Sequence, residues 1–177
     1  MPQIPGRAIN QKNPNAMYLG LDPGGSGGIV VLRGFRAGLI NMPDDDVGIW
    51  KEIKDIATLA TTLETPPIEL QACIEYIHTG FKGSSKNSIA KLYGNYCKLK
   101  MALIAAGIPT IEVTAQVWHK ALGITPKGKE EGKTHWKNRL KEKAHKLFPN
   151  FGKIITLKTC DALLIAEYCR RKHEGTL

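Results

Sequence analysis

The sequence predicts one α/β domain: a mixed five-stranded sheet whose first three strands run antiparallel, flanked by helices. Three observations carry this. Three short runs rich in β-forming residues follow one another with only brief glycine-bearing links, the pattern of a meander. Two further strand-like runs then alternate with segments of helical period, which is the α/β signature. The chain has 177 residues, 42% hydrophobic and 23% charged, enough for one ordinary globular core.

The elements follow in order. Residues 1–16, with Pro2, Pro5 and Pro14, offer little to bury and read as a flexible leader, either an appended segment or an upstream start before Met17. They lack the apolar stretch of a secretory signal, and no clear transit peptide is visible. The domain is expected over 17–177. Met17 to Leu21 is an apolar strand stopped by Asp22-Pro23-Gly24-Gly25. Gly28 to Leu32 and Ala37 to Met42 are the next two strands. Asp44, Asp45 and Asp46 suit a helix N-terminus, after which Ile49, Ile53, Ile56 and Leu59/Ala60 recur at helical spacing. Ala72 to Ile77 is a buried fourth strand carrying one polar residue, Glu75. Ser88 to Ala106 is a long helix ended by Gly107-Ile108-Pro109, and Thr110 to Val113 is the fifth strand. A short helix at Ala115 to Ile124, a Gly/Pro/Lys loop, a basic helix from Thr134 to Phe148 and an apolar helix from Cys160 to Arg171 complete the chain.

Charge narrows the function. Lysine and arginine number 25 against 16 acids, a formal charge of +9, and the excess is segregated. Residues 40–75 carry a net of −6, residues 76–111 contain no acid at all, and residues 119–146 carry +6. A one-sided basic field favours a polyanionic partner, with a solvated high-pI surface as the plainer alternative. No run approaches the roughly 20 apolar residues of a membrane span, so no membrane role is expected. Cys73, Cys97, Cys160 and Cys169 lie in apolar segments without zinc or dithiol spacing, which suits a reducing compartment.

Three carboxylates sit where carboxylates are costly. Asp22 ends an apolar strand, Glu75 interrupts another, and Asp161 opens an apolar helix. Such groups must be paired, hydrogen-bonded or metal-bound. Taken singly, Asp22 also suits a turn, Asp161 a helix cap and Glu75 an ion pair. Together they suggest a site for a hard cation such as Mg²⁺. The Gly24-Gly25-Ser26-Gly27-Gly28 loop has no bulky side chain and would let a polyanion approach closely.

These segments also resemble a known family. LGLDPGGSGGIVVL (19–32), CIEYI (73–77) and CDALLIAEYCRR (160–171) are similar to the three active-site segments of RuvC-type Holliday-junction resolvases, in the RNase H-like superfamily. The phage, cyanobacterial and chloroplast branch is closest in flavour, with a lysine-bearing loop, a basic helix ending Leu147-Phe148-Pro149 and a DALLIA helix. The resemblance spans about residues 17–171. It implies an RNase H-like fold and a Mg²⁺-dependent endonuclease, with Mn²⁺ able to substitute. The expected activity is paired symmetric nicks in four-way DNA junctions, leaving 5′-phosphate and 3′-hydroxyl ends. Asp22, Glu75 and Asp161 would be the catalytic metal ligands, and Lys133 the basic residue near the scissile phosphate. The loop after Glu75, with His78, Phe81 and Lys82, resembles the family's junction-entering segment. Gly24, Gly25, Ser26, Lys82, Lys86, Lys120, Lys127, Lys129 and Lys137 would contact DNA, as would Arg139, Lys141 and Lys143. Trp118 and Trp136 read as packing residues. The 88–106 helix carries more apolar surface than one small sheet needs, and in the family it forms a two-fold dimer interface, so a homodimer is expected. The expected location is the cytoplasm of a bacterium or a phage-infected cell, with an organelle as the alternative.

The chain departs from the family at one place. Members carry an Asp or His about one turn before the last aspartate, where this sequence has Leu157 and Lys158. Three carboxylates suffice, or Lys158 supplies charge where a second metal would sit, or the enzyme is weak. Two alternatives therefore stand beside the resolvase: an RNase H-like nuclease for flaps, forks or hybrids, and a catalytically weak junction-binding protein. A sugar-kinase-like ATPase needs two such domains, more than 177 residues provide.

Overall fold

The computed structural model describes residues 13–34, 36–62, 67–78 and 86–177. Strands β1 (Ala16–Asp22), β2 (Gly28–Arg33) and β3 (Arg36–Asn41) precede helix α1 (Asp46–Thr62). Then come β4 (Glu69–Glu75), α2 (Lys86–Ala105), β5 (Thr110–Val113), α3 (Ala115–Ala121), α4 (Lys133–Leu147) and α5 (Cys160–His173). The sheet order is β3-β2-β1-β4-β5, with β1, β2 and β3 antiparallel and β1, β4 and β5 parallel. This is the mixed five-stranded sheet that the sequence predicts.

β1 is the axis of the domain. Ala16 to Leu21 are all buried, because helices cover both faces of the sheet. Alternation along the strand divides its side chains. Leu19 and Leu21 join Ile29 and Ile74 against α1 and α2, through Ile49, Ile53, Leu99 and Leu103. Ala16 and Tyr18 face the opposite way, with Val30 and Cys73, onto a core supplied by α3, α4 and α5. Gly20 lies on that second face, directly under α5. A Cβ there would come within 2.1 Å of the Ala162 carbonyl oxygen and 2.2 Å of the Ala166 nitrogen. Helix and strand backbones therefore touch at this point, and only glycine permits it.

Local chemistry sets the helix ends. Asp45 caps α1, its Oδ1 accepting from the Gly48 N–H at 2.7 Å. α2 ends at Gly107 with φ of 68°, the Gly107 and Ile108 N–H groups donating to Ile104 and Leu103 carbonyls, before Pro109 stops the chain. α3 ends the same way at Gly123, so it stops at Ala121 rather than Ile124. In α1, Ala60 turns inward and Leu59 is exposed.

The start of the domain and the segment after α4 also differ from expectation. Residues 13–16 do not belong to a leader. Ala16 opens β1 opposite Glu69, the Glu69 N–H donates to the Asn15 carbonyl at 2.9 Å, and Asn13 Nδ2 donates to Glu69 Oε2 at 3.2 Å. Residues 1–12 lie outside the described residues. After α4, Pro149–Ile154 forms a 3₁₀ turn that the sequence reading did not anticipate. It folds Phe151 onto Phe148, rings stacked at 5.1 Å.

The close approach at Gly20 makes a prediction. Gly20→Ala is expected to lose about 3 kcal/mol or more in urea unfolding. Gly38→Ala, with no atom within 4 Å of the added Cβ, is expected to lose nothing. Equal stability of the two variants would contradict the packing described here.

Candidate active site

The fold brings the three predicted carboxylates to one cleft. The last β1–β4 pair in register is Leu21 opposite Ile74, so the two parallel strands end side by side at Asp22 and Glu75. Both lie two residues beyond positions that face α5, Gly20 and Cys73, and so project to that side. Asp161 stands in the first turn of α5, across the same space. The cleft, about 920 Å³, sits at the carboxyl ends of the parallel strands, where open α/β sheets place their ligand sites. Its walls include Gly24, Gly25 and Ser26 from the β1–β2 loop, Lys91 from α2, Lys133 and Lys137 from α4, and Lys158 before α5.

Each acid is individually held. Gly24 N–H donates to Asp22 Oδ1 at 3.0 Å. The loop then closes tightly, Gly27 N–H reaching the Gly24 carbonyl at 2.8 Å. A Cβ on Gly27 would fall 2.7 Å from the Asp22 carboxyl carbon. The glycine run is thus needed to wrap the aspartate, a reason additional to the open approach expected from sequence. Trp118 Nε1 donates to Glu75 Oε2 at 3.3 Å. The Cys160 thiol donates to Asp161 Oδ1 at 3.2 Å, and the Lys137 ammonium binds Asp161 Oδ2.

The electrostatics follow from crowding like charges away from water. Burial, then the Asp161 charge, pushes Asp22 up to about 6, against the pull of Lys137 and the Gly24 N–H. Burial and the charges of Asp22 and Asp161 push Glu75 up to about 8, while Trp118 and Lys137 oppose this. For Lys137, burial works against its charge, but the attraction of Asp161 and Asp22 outweighs it and raises the ammonium. Lys137 is the cation inside the acidic cluster.

The donor chemistry fits a hard divalent ion: oxygen ligands on three elements, two of them destabilised by mutual repulsion that such a charge would relieve. As they stand, no three Asp, Glu, His or Cys side chains among the described residues are grouped closely enough to hold one ion. Lys137 occupies one oxygen of Asp161.

The structure places most of the residues singled out in the sequence. Lys137, expected to contact DNA, pairs with Asp161 within the cleft. Lys133, expected near the scissile phosphate, and Gly24, Gly25 and Ser26, expected to contact DNA, line the cleft. Lys120 and Lys127 do not; they line a neighbouring groove that shares Trp136. Lys129 is exposed on the α3–α4 loop and lines neither. His78 packs its ring edge-on against Tyr76 at 4.7 Å and is not among the cleft-lining residues. Lys86 opens α2. Phe81 and Lys82 lie outside the described residues. Arg139, expected on DNA, bonds Glu131 and the Thr125 carbonyl. Trp118, expected only to pack, also holds Glu75; the available signal was that a buried indole N–H needs an acceptor. Lys91 was missed, because nothing local marks one lysine of α2 as facing the cleft.

The raised acids predict a pH dependence. Between about pH 4 and pH 8 the native chain retains protons on Asp22 and Glu75 that the unfolded chain releases, so stability falls as pH rises. Thermal melts of the metal-free protein should show this fall. Glu75→Gln should flatten it, and Lys137→Gln should steepen it. A melting temperature that rises from pH 5 to 8 would refute the assignment.

No protein-family model and no curated protein matches the chain. Solved structures do match its shape, among them two of RuvC. RuvC of Thermus thermophilus in complex with Holliday junction substrate superposes with a TM-score of 0.56 at 16% identity, over 91% of this chain and 97% of that one. The Thermus thermophilus RuvC structure superposes with a TM-score of 0.50 at 15% identity, over 90% and 97% of the two chains. Identities this low speak for architecture, and on architecture the result is plain: the chain has the RuvC-like, RNase H-like fold.

Proposed function

We propose that the chain is a structure-specific endonuclease that resolves four-way DNA junctions. It acts as a homodimer, nicking two opposed strands and leaving 5′-phosphate and 3′-hydroxyl ends. The observation that carries this reading is the convergence of Asp22, Glu75 and Asp161 in one lysine-rimmed cleft of a RuvC-like fold. A neighbour of that fold is a RuvC in complex with Holliday junction substrate, which supports a DNA junction as the partner. The free cysteines suit a reducing compartment, and the cytoplasm of a bacterium or phage-infected cell is the setting proposed.

Asp22, Glu75 and Asp161 would hold Mg²⁺, or Mn²⁺ in its place, which when bound supplies Lewis acidity toward the phosphodiester and a more acidic water. The chain's own residues do the rest. The bare Gly24–Gly27 turn admits a sugar–phosphate backbone to the acids. Lys133 and Lys91 on opposite elements attract and orient the phosphate. Trp118 keeps the Glu75 carboxyl aimed at the cleft, and Lys137 keeps Asp161 in place while the cluster carries excess negative charge.

The dimer rests on α2. Tyr93, Met101 and Ile104 are 41%, 61% and 61% exposed, and with Cys97 they fall at spacings of four, four and three residues along one helix face. Such a stripe suits a two-fold contact, and two symmetric cuts need two active sites.

Lysines at 137 and 158, in and beside the acidic cluster, favour the second reading: a junction-binding protein with little activity. Cleavage of end-labelled junctions, forks, flaps, hybrids and linear duplex distinguishes these. The resolvase reading expects junction cleavage with Mg²⁺ or Mn²⁺, reduced at least a thousandfold by Asp22→Asn with binding retained. Equal cleavage of duplex and junction would overturn it, and binding without cleavage would establish the second reading. For the dimer, Met101→Glu with Ile104→Glu should halve the mass in sedimentation, and mild oxidation should cross-link wild-type chains through Cys97. Unchanged mass in the double variant would exclude this face.

A further inference from the structure

A second groove, about 760 Å³, adjoins the acidic cleft, and Trp136 forms part of the wall of both. None of its residues is used by the mechanism above. Building on the junction-cleaving reading, we infer that this groove receives one unpaired nucleotide of the strand being cut, its base against Trp136 and His119 and its phosphates at Lys120 and Lys127.

Four observations carry this. The first is continuity. A strand whose scissile phosphate lies among the three acids reaches this groove by passing Trp136. The second is the chemistry of the wall. Two aromatic rings, Trp136 and His119, stand with Ile124 and Pro126, a surface suited to the flat face of a base. Lys120 and Lys127 are exposed at the same groove with no ion pair among the described residues, so their charge is available to phosphates.

The third is His119 itself. Its Nε2 is shut off from water and has no hydrogen-bond partner among the described residues. Burial holds the ring neutral, its pKa lowered to about 4, so His119 adds a flat uncharged ring to the groove wall rather than a charge. Its ring meets Trp118 at 3.9 Å and Trp136 at 5.2 Å, both edge-on, so the groove wall is linked to the indole that holds Glu75.

The fourth is that the groove is already shaped. Glu131 accepts from the Gly128 N–H at 3.1 Å and pairs with Arg139 at 3.1 Å and His135 at 2.7 Å. Arg139 also donates to the Thr125 carbonyl at 2.6 Å and lies over the Trp136 ring at 4.9 Å from its centroid. One glutamate and one arginine thus pin the Thr125–Gly132 loop and the tryptophan together. A ligand entering here would have little ordering left to do.

Photo-cross-linking tests the inference. The full chain carrying Asp22→Asn is bound to a four-way junction with 5-iodouracil placed in turn at each position flanking the cleaved phosphate. The expected result is cross-linking to Trp136 or His119 from one position only. Replacing the base at that position by an abasic site should weaken binding about tenfold, and abasic sites elsewhere should not. The double variant Lys120→Ala/Lys127→Ala, both exposed and safe for folding, should weaken junction binding at least tenfold and reduce that cross-link. Tight junction binding with no cross-link to residues 115–136 from any position would overturn the inference and leave the resolvase reading intact. A chain that binds no junction removes both.

Discussion

Three carboxylates crowded into one partly buried cleft repel each other, and much of this molecule is arranged around that repulsion. The strands β1 and β4 cannot end elsewhere without losing their register, so Asp22 and Glu75 are held side by side. Helix α5 packs close against the same strand, because Gly20 leaves room for its backbone. The cost of bringing the charges together is met locally. The Gly24 N–H, the Trp118 indole and the Cys160 thiol each donate to one acid, and the Lys137 ammonium binds Asp161. What these do not offset remains as the raised proton affinity of Asp22 and Glu75. A site in this condition favours the arrival of positive charge, which is the electrostatic basis of the function proposed.

The two faces of the sheet divide the labour. On one, α1 and α2 bury an aliphatic core with Ile49, Ile53, Leu99 and Leu103, leaving the outer side of α2 apolar and uncovered. On the other, α3, α4 and α5 supply Trp118, Lys133, Lys137 and Asp161 to the cleft. The chemistry is concentrated on the face where helix and strand backbones meet most closely. Rigid support of this kind suits a constellation of charges whose spacing must survive their mutual repulsion.

Much of this was legible in the sequence. The three antiparallel strands, a fourth strand within Ala72 to Ile77 and the order of helices follow from period, glycine links and caps, which are local properties. The acids were legible too, since a lone Glu75 in ACIEYI or an Asp161 before ALLIA violates the apolar pattern around it. The absence of a fourth acid near Leu157 and Lys158 was equally plain. The tie of Asn13 and Asn15 to Glu69 was not, because it joins a proline-rich, polar segment to a strand 56 residues away.

The sequence by itself determined which elements form and which residues carry charge in apolar surroundings, because backbone propensity and hydrophobic period act over a few neighbouring residues. The tertiary structure alone decided where each cation went. Lys133, Lys137, Lys120 and Arg139 look alike along one basic stretch, yet one lines the cleft, one is bound to Asp161, one faces the second groove and one pins a loop. Coulomb forces depend on distance in space, and that distance is set only once α4 has packed against α5.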